Sequence, residues 1–456
     1  MRRLISPVGA LVLAAVPTLA LTLLDPQPGV VAVAAALGSS TVGLVALREW
    51  ERRGRRVDMR AVGLAGVLVA VAAVAVQPRN SADLWSYVMY GRIASIHHAS
   101  PWTALPASFG HDPFLARVAP GWRRTTSIYG PGFEAIAAVV TRLAGPSALA
   151  ARLLMKSVFA IATLGAGTLV ARRTRSAAAT ALVLLHPVVV VSGIAGGHND
   201  ILVGLGVLAA VLYATDDRPV AAGVVAALGT AVKLTGAIAI IAIAAWAWRH
   251  RGHAWTGRFV SAACGGVALL YAPFGASGLS AVGKNKGLLS RASVWQLPRL
   301  VTGLDSAHAV VHFGLPGHWT TTLITIGTAL TGLLVIGVAL RFTRLDTMQP
   351  GVVATLAAFL LFAPYILPWY SVWVIPVLAL DIRSPIARLL TWQAAMITLI
   401  YELKFQGVPE PASGIIWWTG ILMSVAFAIG FLVQARVATR RLDGSTRVSD
   451  PAQPAF

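Results

Sequence analysis

Apolar residues in this chain come in blocks about as long as a bilayer is thick. Stretches such as 30–47, 148–171, 177–195, 319–340 and 414–434 run for roughly twenty residues, the length a helix needs to cross a hydrocarbon layer of about 30 Å. In lipid every backbone polar group must be satisfied within the chain, so such blocks form helices. Only 12% of the 456 residues are charged and 57% are hydrophobic. A soluble domain carries about 25% charged residues, so soluble enzymes, nucleic-acid binders and fibrous proteins are excluded. The expected fold class is an all-α integral membrane protein, a multi-helix transmembrane bundle of about 11–14 spans. One domain is expected over 1–442, with a polar, disordered cytoplasmic tail over 443–456. The start, Met1-Arg2-Arg3 followed by apolar residues, is read as a retained first helix, because a second apolar segment follows at once. Cys264 is the single cysteine, so no disulfide forms within the chain.

The charge balance sets an orientation. There are 37 basic and 17 acidic residues, a net +20. Twenty-three of the basic residues fall in short loops or termini that alternate to one side, which the positive-inside rule makes cytoplasmic. Two long loops, about 77–130 and 275–318, then face outward, and the expected location is the plasma membrane. Segments 131–144 and 148–171 cannot both span under this arrangement, so one is re-entrant or peripheral. The 219–248 stretch is too long for one span and carries Lys233 at its centre; it reads as two half-length helices meeting there.

Acidic residues are scarce enough to sort. Nine fall among cytoplasmic arginines, which leaves Asp25, Asp83, Asp112, Glu134, Asp200, Asp305, Glu402 and Glu410 outside. Asp83 opens Asp-Leu-Trp-Ser-Tyr-Val-Met-Tyr-Gly-Arg. On a helix, Asp83, Tyr87, Tyr90, Ala94 and His97 share one face, while Leu84, Trp85, Val88, Met89 and Ile96 could sink into the interface. Asp83 is thus either a catalytic carboxylate on an interfacial helix or that helix's N-cap. His198-Asn199-Asp200 sits at a glycine-rich break, where polar residues at membrane depth either bind something or cap the next helix. Lys233 needs a partner or an anion, or else snorkels to the surface. Lys284, Lys286 and Arg291 give the second outer loop a basic character suited to a phosphate-bearing headgroup. Trp369 and Tyr370 read as an interfacial anchor or as a platform for a sugar or polyprenyl chain. His308 and His312 have i, i+4 spacing without an accompanying Glu, so no metal site is expected.

Taken in order, these elements resemble a known family. The Asp83 segment with its Gly91-Arg92 and Ser100-Pro101-Trp102, then Tyr129-Gly130-Pro131, Gly197-His198-Asn199-Asp200, Ala231-Val232-Lys233-Leu234 and Pro368-Trp369-Tyr370 are similar to motifs of actinobacterial polyprenol-phosphate-mannose-dependent α-mannosyltransferases. Trp102 departs from the pattern, where a tyrosine is usual. The resemblance implies a GT-C-type, inverting glycosyltransferase of the α-1,6-mannopyranosyltransferase and glycosyltransferase family 87 kind. Such an enzyme moves a sugar, expected to be mannose, from a polyprenyl phosphate to a lipid-linked glycan or glycolipid outside the cytoplasm. It implies Asp83 as catalytic residue. Arg92, His198, Lys233, Lys284, Lys286 and Arg291 become candidates for holding the donor phosphate. Tyr87, Tyr90, His97, Tyr129, Asn199, Asp200, Trp369 and Tyr370 become candidates for sugar or acceptor contacts. No cofactor is expected, a divalent ion is left open, and the partners are donor, acceptor and membrane lipids rather than nucleic acid. A lipid transporter or flippase, and a polyprenyl-phosphate arabinofuranosyltransferase, share parts of this pattern.

Overall fold

The computed structural model describes residues 6–23, 30–78, 81–279, 289–290, 292–301, 318–404 and 412–445. Among them there are helices and no strands. Chain order gives α1 (Pro7–Leu23), α2 (Val30–Arg52), α3 (Met59–Ala75), α4 (Asp83–Ser95), α5 (Pro131–Ala144), α6 (Ala148–Thr174) and α7 (Ala177–Leu185). A π-helix (Val188–Ala195) follows, then α8 (Asp200–Thr215), α9 (Pro219–Val232), α10 (Ala237–His250) and α11 (Gly252–Tyr271). After it come α12 (His318–Phe342), α13 (Gln349–Phe362), α14 (Pro385–Lys404) and α15 (Ala412–Ser445).

Five helical stretches among the described residues are long and apolar enough to cross a membrane: Val31–Arg52, Ala148–Thr174, Gly252–Gly278, Thr321–Phe342 and Gly414–Ala438. The bent pair α7 and π-helix would make a sixth. The 11–14 segments expected from hydropathy exceed this because several, among them α3, α8, α9 and α13, are apolar helices of 10–17 residues. The parity conflict resolves by length. α5 has 14 residues and packs beside α4, whereas α6 has 27 and spans about 40 Å.

α6 also defines two ends of the bundle. Near its start, the Arg92 guanidinium donates to the Gly145 carbonyl, and Lys156 and Arg152 donate to the carbonyls of Val76 and Ala75 that end α3. Past its far end, Glu51 accepts from the Ser176 hydroxyl and the Ala178 N–H, which fixes the start of α7 to the end of α2. Arg48, Arg52, Arg53, Arg173 and Arg251 lie at that second, arginine-rich end.

α4 departs from the expected interfacial helix. Leu84, Ser86, Tyr87, Val88, Met89, Tyr90, Gly91, Arg92 and Ile93 are all buried, so protein covers nearly its whole circumference. Of the apolar positions assigned to the interface, Leu84, Val88 and Met89 are buried in the bundle core and Trp85 packs against it, while Ile96 stays exposed. The helix break at 233 is present: α9 stops at Val232, Lys233 is extended, and a 3-10 turn over Leu234–Gly236 leads into α10.

Candidate active site

Three breaks in regular structure converge at the arginine-poor end. The first is the start of α4. Its N-cap is Ala82, and the Asp83 N–H donates to the Ser81 hydroxyl, 3.1 Å away. Asp83 is therefore not a capping residue, and its carboxylate faces the site with 19% of the side chain open. Low hydration there pushes the carboxyl up to about 6, opposed in part by the Ser81 hydroxyl and, less, by the Lys233 charge.

The second break follows the π-helix, whose wide turns bring the Gly196 N–H to the Val191 carbonyl and the His198 N–H to the Gly193 carbonyl. Gly197 has φ +76, and a Cβ there would lie 2.6 Å from the Leu84 side chain, so only glycine lets this turn approach α4. His198 Nδ1 lies 2.6 Å from the Ser192 carbonyl oxygen, and a carbonyl can only accept. Nδ1 therefore carries a proton, and burial, which pushes the imidazole down to about 3, leaves Nε2 unprotonated 3.6 Å from the Asp83 carboxylate. Stacking on Trp369, with ring centres 3.5 Å apart, holds the imidazole flat.

The third break is Lys233. Its Nζ donates to Asp200 Oδ1 at 2.9 Å and sits 4.2 Å from the Tyr370 ring centre and 5.3 Å from that of Trp373. The Trp373 indole donates to the same Asp200 oxygen at 2.6 Å. Lys233 thus neither snorkels nor stands alone. The Gly130 N–H donates to the Val232 carbonyl at 3.0 Å, and a Cβ on Gly130 would fall 2.2 Å from the Ala231 oxygen. Tyr129-Gly130-Pro131 is so pressed against the break. Tyr129 and Tyr87 meet edge to face at 4.9 Å, and Tyr365, Tyr370 and Tyr401 are close enough to feel the Asp83 charge.

Buried polar groups nearly always find hydrogen-bond partners, so orphans mark places where something is missing. Here they cluster. His198 Nε2, both amide atoms of Asn199, Asp200 Oδ2 and the Ser371 hydroxyl are buried without a partner. Asn199 and Asp200 have no exposure at all. Asn199 occupies the N-cap position of α8 yet makes no capping bond, so the capping explanation fails for its side chain.

The structure brings together Asp83, Tyr87, Tyr129, His198, Asn199, Asp200, Lys233, Trp369 and Tyr370. Arg92 and His97 do not join them. Arg92 lies about 14 Å further along α4 by helical rise and His97 just past its end, and both are held by Asp112. Arg92 Nε donates to both oxygens of that carboxylate, at 3.0 and 2.8 Å, which pairs its charge away from Asp83. Tyr90 donates to the Thr125 carbonyl and serves to tie the loop down. His198, in the tautomer its bond to Ser192 selects, offers a lone pair rather than the cation expected of a phosphate ligand. Lys284, Lys286 and Arg291 lie outside the described residues. Sequence reasoning missed Trp373 and Ser371; the signal was the i, i+4 pair Trp369/Trp373 at a proline-led break. Among the described residues no group of three or more His, Cys, Asp or Glu could hold a metal ion.

Residues 4–250 match the family described as alpha-(1->6)-mannopyranosyltransferase, N-terminal domain, a stretch that contains the Asp83, Tyr129, His198 and Lys233 elements. The chain is 29% identical over 418 residues to alpha-(1->6)-mannopyranosyltransferase A of Mycobacterium tuberculosis, covering 84% of this chain and 78% of that one. It is 25% identical over 443 residues to a probable alpha-(1->6)-mannopyranosyltransferase of Mycolicibacterium smegmatis, covering 85% and 76%. A shorter match, 29% over 178 residues, covers 38% of this chain and 36% of alpha-(1->6)-mannopyranosyltransferase A of Corynebacterium glutamicum. No solved structure matches. With the match extending over more than half of its length and through the three breaks that build the site, this membrane protein belongs to the actinobacterial alpha-(1->6)-mannopyranosyltransferase family.

Proposed function

We propose that this protein moves mannose from a polyprenyl-phosphate donor to a lipid-linked glycan or glycolipid acceptor, by a single inverting displacement at the extracytoplasmic face of the plasma membrane. The observation that carries the reading is the set of orphaned buried polar atoms on His198, Asn199, Asp200 and Ser371 beside a partly open carboxylate. These are hydrogen-bonding positions suited to a ring of sugar hydroxyls, walled by Trp369 and Tyr370.

In this reading the acceptor hydroxyl lies against Asp83. Its oxygen attacks the anomeric carbon while the proton passes to the Asp83 carboxylate, the bond from that carbon to the phosphate oxygen breaks, and polyprenyl phosphate leaves with the electron pair. One carboxylate suffices because the leaving group is already an anion. His198 Nε2 accepts from a hydroxyl of the donor sugar, and Asn199 supplies a donor and an acceptor to the same ring. Lys233, paired with Asp200, turns its remaining N–H donors to the departing phosphate; Lys284, Lys286 and Arg291 of the second loop stay candidates for the same anion by their charge alone. The arginine-rich end faces the cytoplasm by the positive-inside rule, which puts Asp83 outside.

The test is transfer in membranes with radiolabelled polyprenyl-phosphate mannose against GDP-mannose, for the wild type and Asp83→Asn. Activity with the lipid donor alone, lost in the variant while the protein still inserts, is the expected result. Near-normal transfer by the variant, or equal use of the nucleotide sugar, refutes the proposal.

A further inference from the structure

The far end of the bundle holds a second feature that mannosyl transfer does not use. A chamber of about 720 Å³ opens among the ends of α2, α6, α8 and α10 and the Ala379–Arg383 turn. Four arginines line it. Arg173 and Arg251 are paired with Asp216 and Asp217 at 3.3 and 3.2 Å. The other two, Arg48 and Arg383, have no carboxylate partner among the described residues. One Arg48 nitrogen donates to the Arg383 carbonyl at 2.9 Å, and its Nε is buried with no partner. Arg388, in the first turn of α14, stands beside Arg48 in an adjoining crevice and makes no ion pair among the described residues.

Glu49 and Asp381 lie close enough to act on Arg48, but neither is paired with it, and Glu49 is bound by Arg52 and Arg53. Glu51 is spent on Ser176 and the Ala178 N–H. Asp381 accepts from the Arg383 backbone N–H. Asp346, across the chamber, is exposed and makes no ion pair. Arg48, with its orphaned N–H, shares the chamber with Arg383 and the adjoining crevice with Arg388, a concentration of guanidinium donors suited to an anion.

What adjoins the chamber selects the kind of anion. A second crevice of about 170 Å³ shares Gln349, Pro350 and Asp381 with it; Ser384 and Gln434 aside, the rest of its lining is apolar, among it Phe342 of α12, Val353 of α13, Ile386 of α14 and Val437 of α15. A free phosphate would need only the arginines. A charged chamber running into an apolar slot between membrane-spanning helices fits a molecule with a phosphate at one end and a hydrocarbon chain at the other.

We propose that the Arg48–Arg383–Arg388 cluster and the adjoining α12–α15 crevice form a binding site for an anionic phospholipid of the leaflet at the arginine-rich end, remote from the sugar-transfer site. The phosphate takes the three guanidiniums and one acyl chain takes the crevice.

The experiment uses the full-length protein, purified in a neutral detergent, with dioleoyl phosphatidylglycerol, dioleoyl phosphatidylcholine or inorganic phosphate as probe. Native mass spectrometry counts retained lipid, and thermal unfolding reads stabilisation. Phosphatidylglycerol should be retained and raise Tm, the neutral lipid much less, and phosphate not at all. Arg48→Gln/Arg383→Gln/Arg388→Gln should weaken phosphatidylglycerol retention roughly tenfold or more while leaving phosphatidylcholine retention unchanged. Ile386→Trp, which fills the crevice and leaves the arginines in place, should weaken it as well. Equal retention of the two lipids, stabilisation by phosphate to the same extent, or indifference to both variants overturns the proposal. Mannosyl transfer by each variant in neutral detergent confirms that it folds, and a variant without transfer is replaced by Arg383→Gln alone, for which the same loss of retention is required.

Discussion

Two polar clusters hang on the single short helix α4, one at each end. At its far end Arg92, His97 and Asp112 form a closed set. The Asp112 side chain is fully buried; it accepts from Arg92, His97 and the Phe114 N–H, and Arg92 also reaches the Gly145 carbonyl. None of its members has a buried polar atom without a partner. At its near end Asp83 looks across 3.6 Å to a histidine nitrogen that bonds nothing, beside an asparagine amide that bonds nothing. Both clusters contain a carboxylate, a histidine and a cation. Saturation separates them: a set that satisfies itself holds the fold, and a set that does not is shaped for something else.

The comparison breaks most decisively at the two carboxylates. Asp83→Asn should lower transfer by about 10²–10⁴-fold with little change in Tm, as read by a membrane transfer assay beside thermal unfolding. Asp112→Asn should do the reverse. It leaves Arg92 buried without its counter-charge, a loss of about 3–5 kcal/mol, seen as a large fall in Tm; a variant that lost transfer at unchanged Tm would erase the distinction.

Smaller effects sharpen it. The pH response should split between the clusters. Asp83, raised to about 6 by burial, must be ionised to accept a proton, so kcat/KM should climb through about pH 6 and level off above it. Asp112 behaves oppositely. Burial alone would raise its carboxyl, but the Phe114 N–H, His97 and Arg92 together hold it below the usual carboxylate range. Its contribution to stability is therefore complete above the unfolded value of about 3.9 and fades as pH falls through the lower folded value. Acid unfolding of Asp112→Asn should lose that part of its pH dependence. Smaller still, His198→Ala should raise KM for the lipid donor more than for the acceptor, and equal shifts in both would reduce His198 to a packing role.

Much of the near cluster was legible in the sequence because polar residues inside apolar runs are costly and therefore conspicuous. Lys233 in a thirty-residue apolar stretch, Gly-His-Asn-Asp at a glycine break, and a lone acid after the third helix each announced themselves. The far cluster was not legible. Asp112 meets Arg92 and His97 only through the fold of the 96–130 loop, and no local spacing encodes that meeting, so both partners were assigned to substrate. The reading of α4 as amphipathic failed for a related reason. A helical period says which residues share a face, but it supposes that one face meets solvent or lipid, and here protein covers nearly all of them.

The π-helix over Val188–Ala195 carries a consequence for how this chain can change over evolutionary time. Its i→i+5 register holds one more residue than an α-helix would over the same path. Deleting a single residue there would restore ordinary α pitch along that path and leave the flanking turns, with Asn199 and Asp200, where they are. What would go is the wide turn itself, and with it the Ser192 carbonyl that now accepts from His198 Nδ1. A one-codon deletion in this segment therefore acts on the histidine and spares its neighbours.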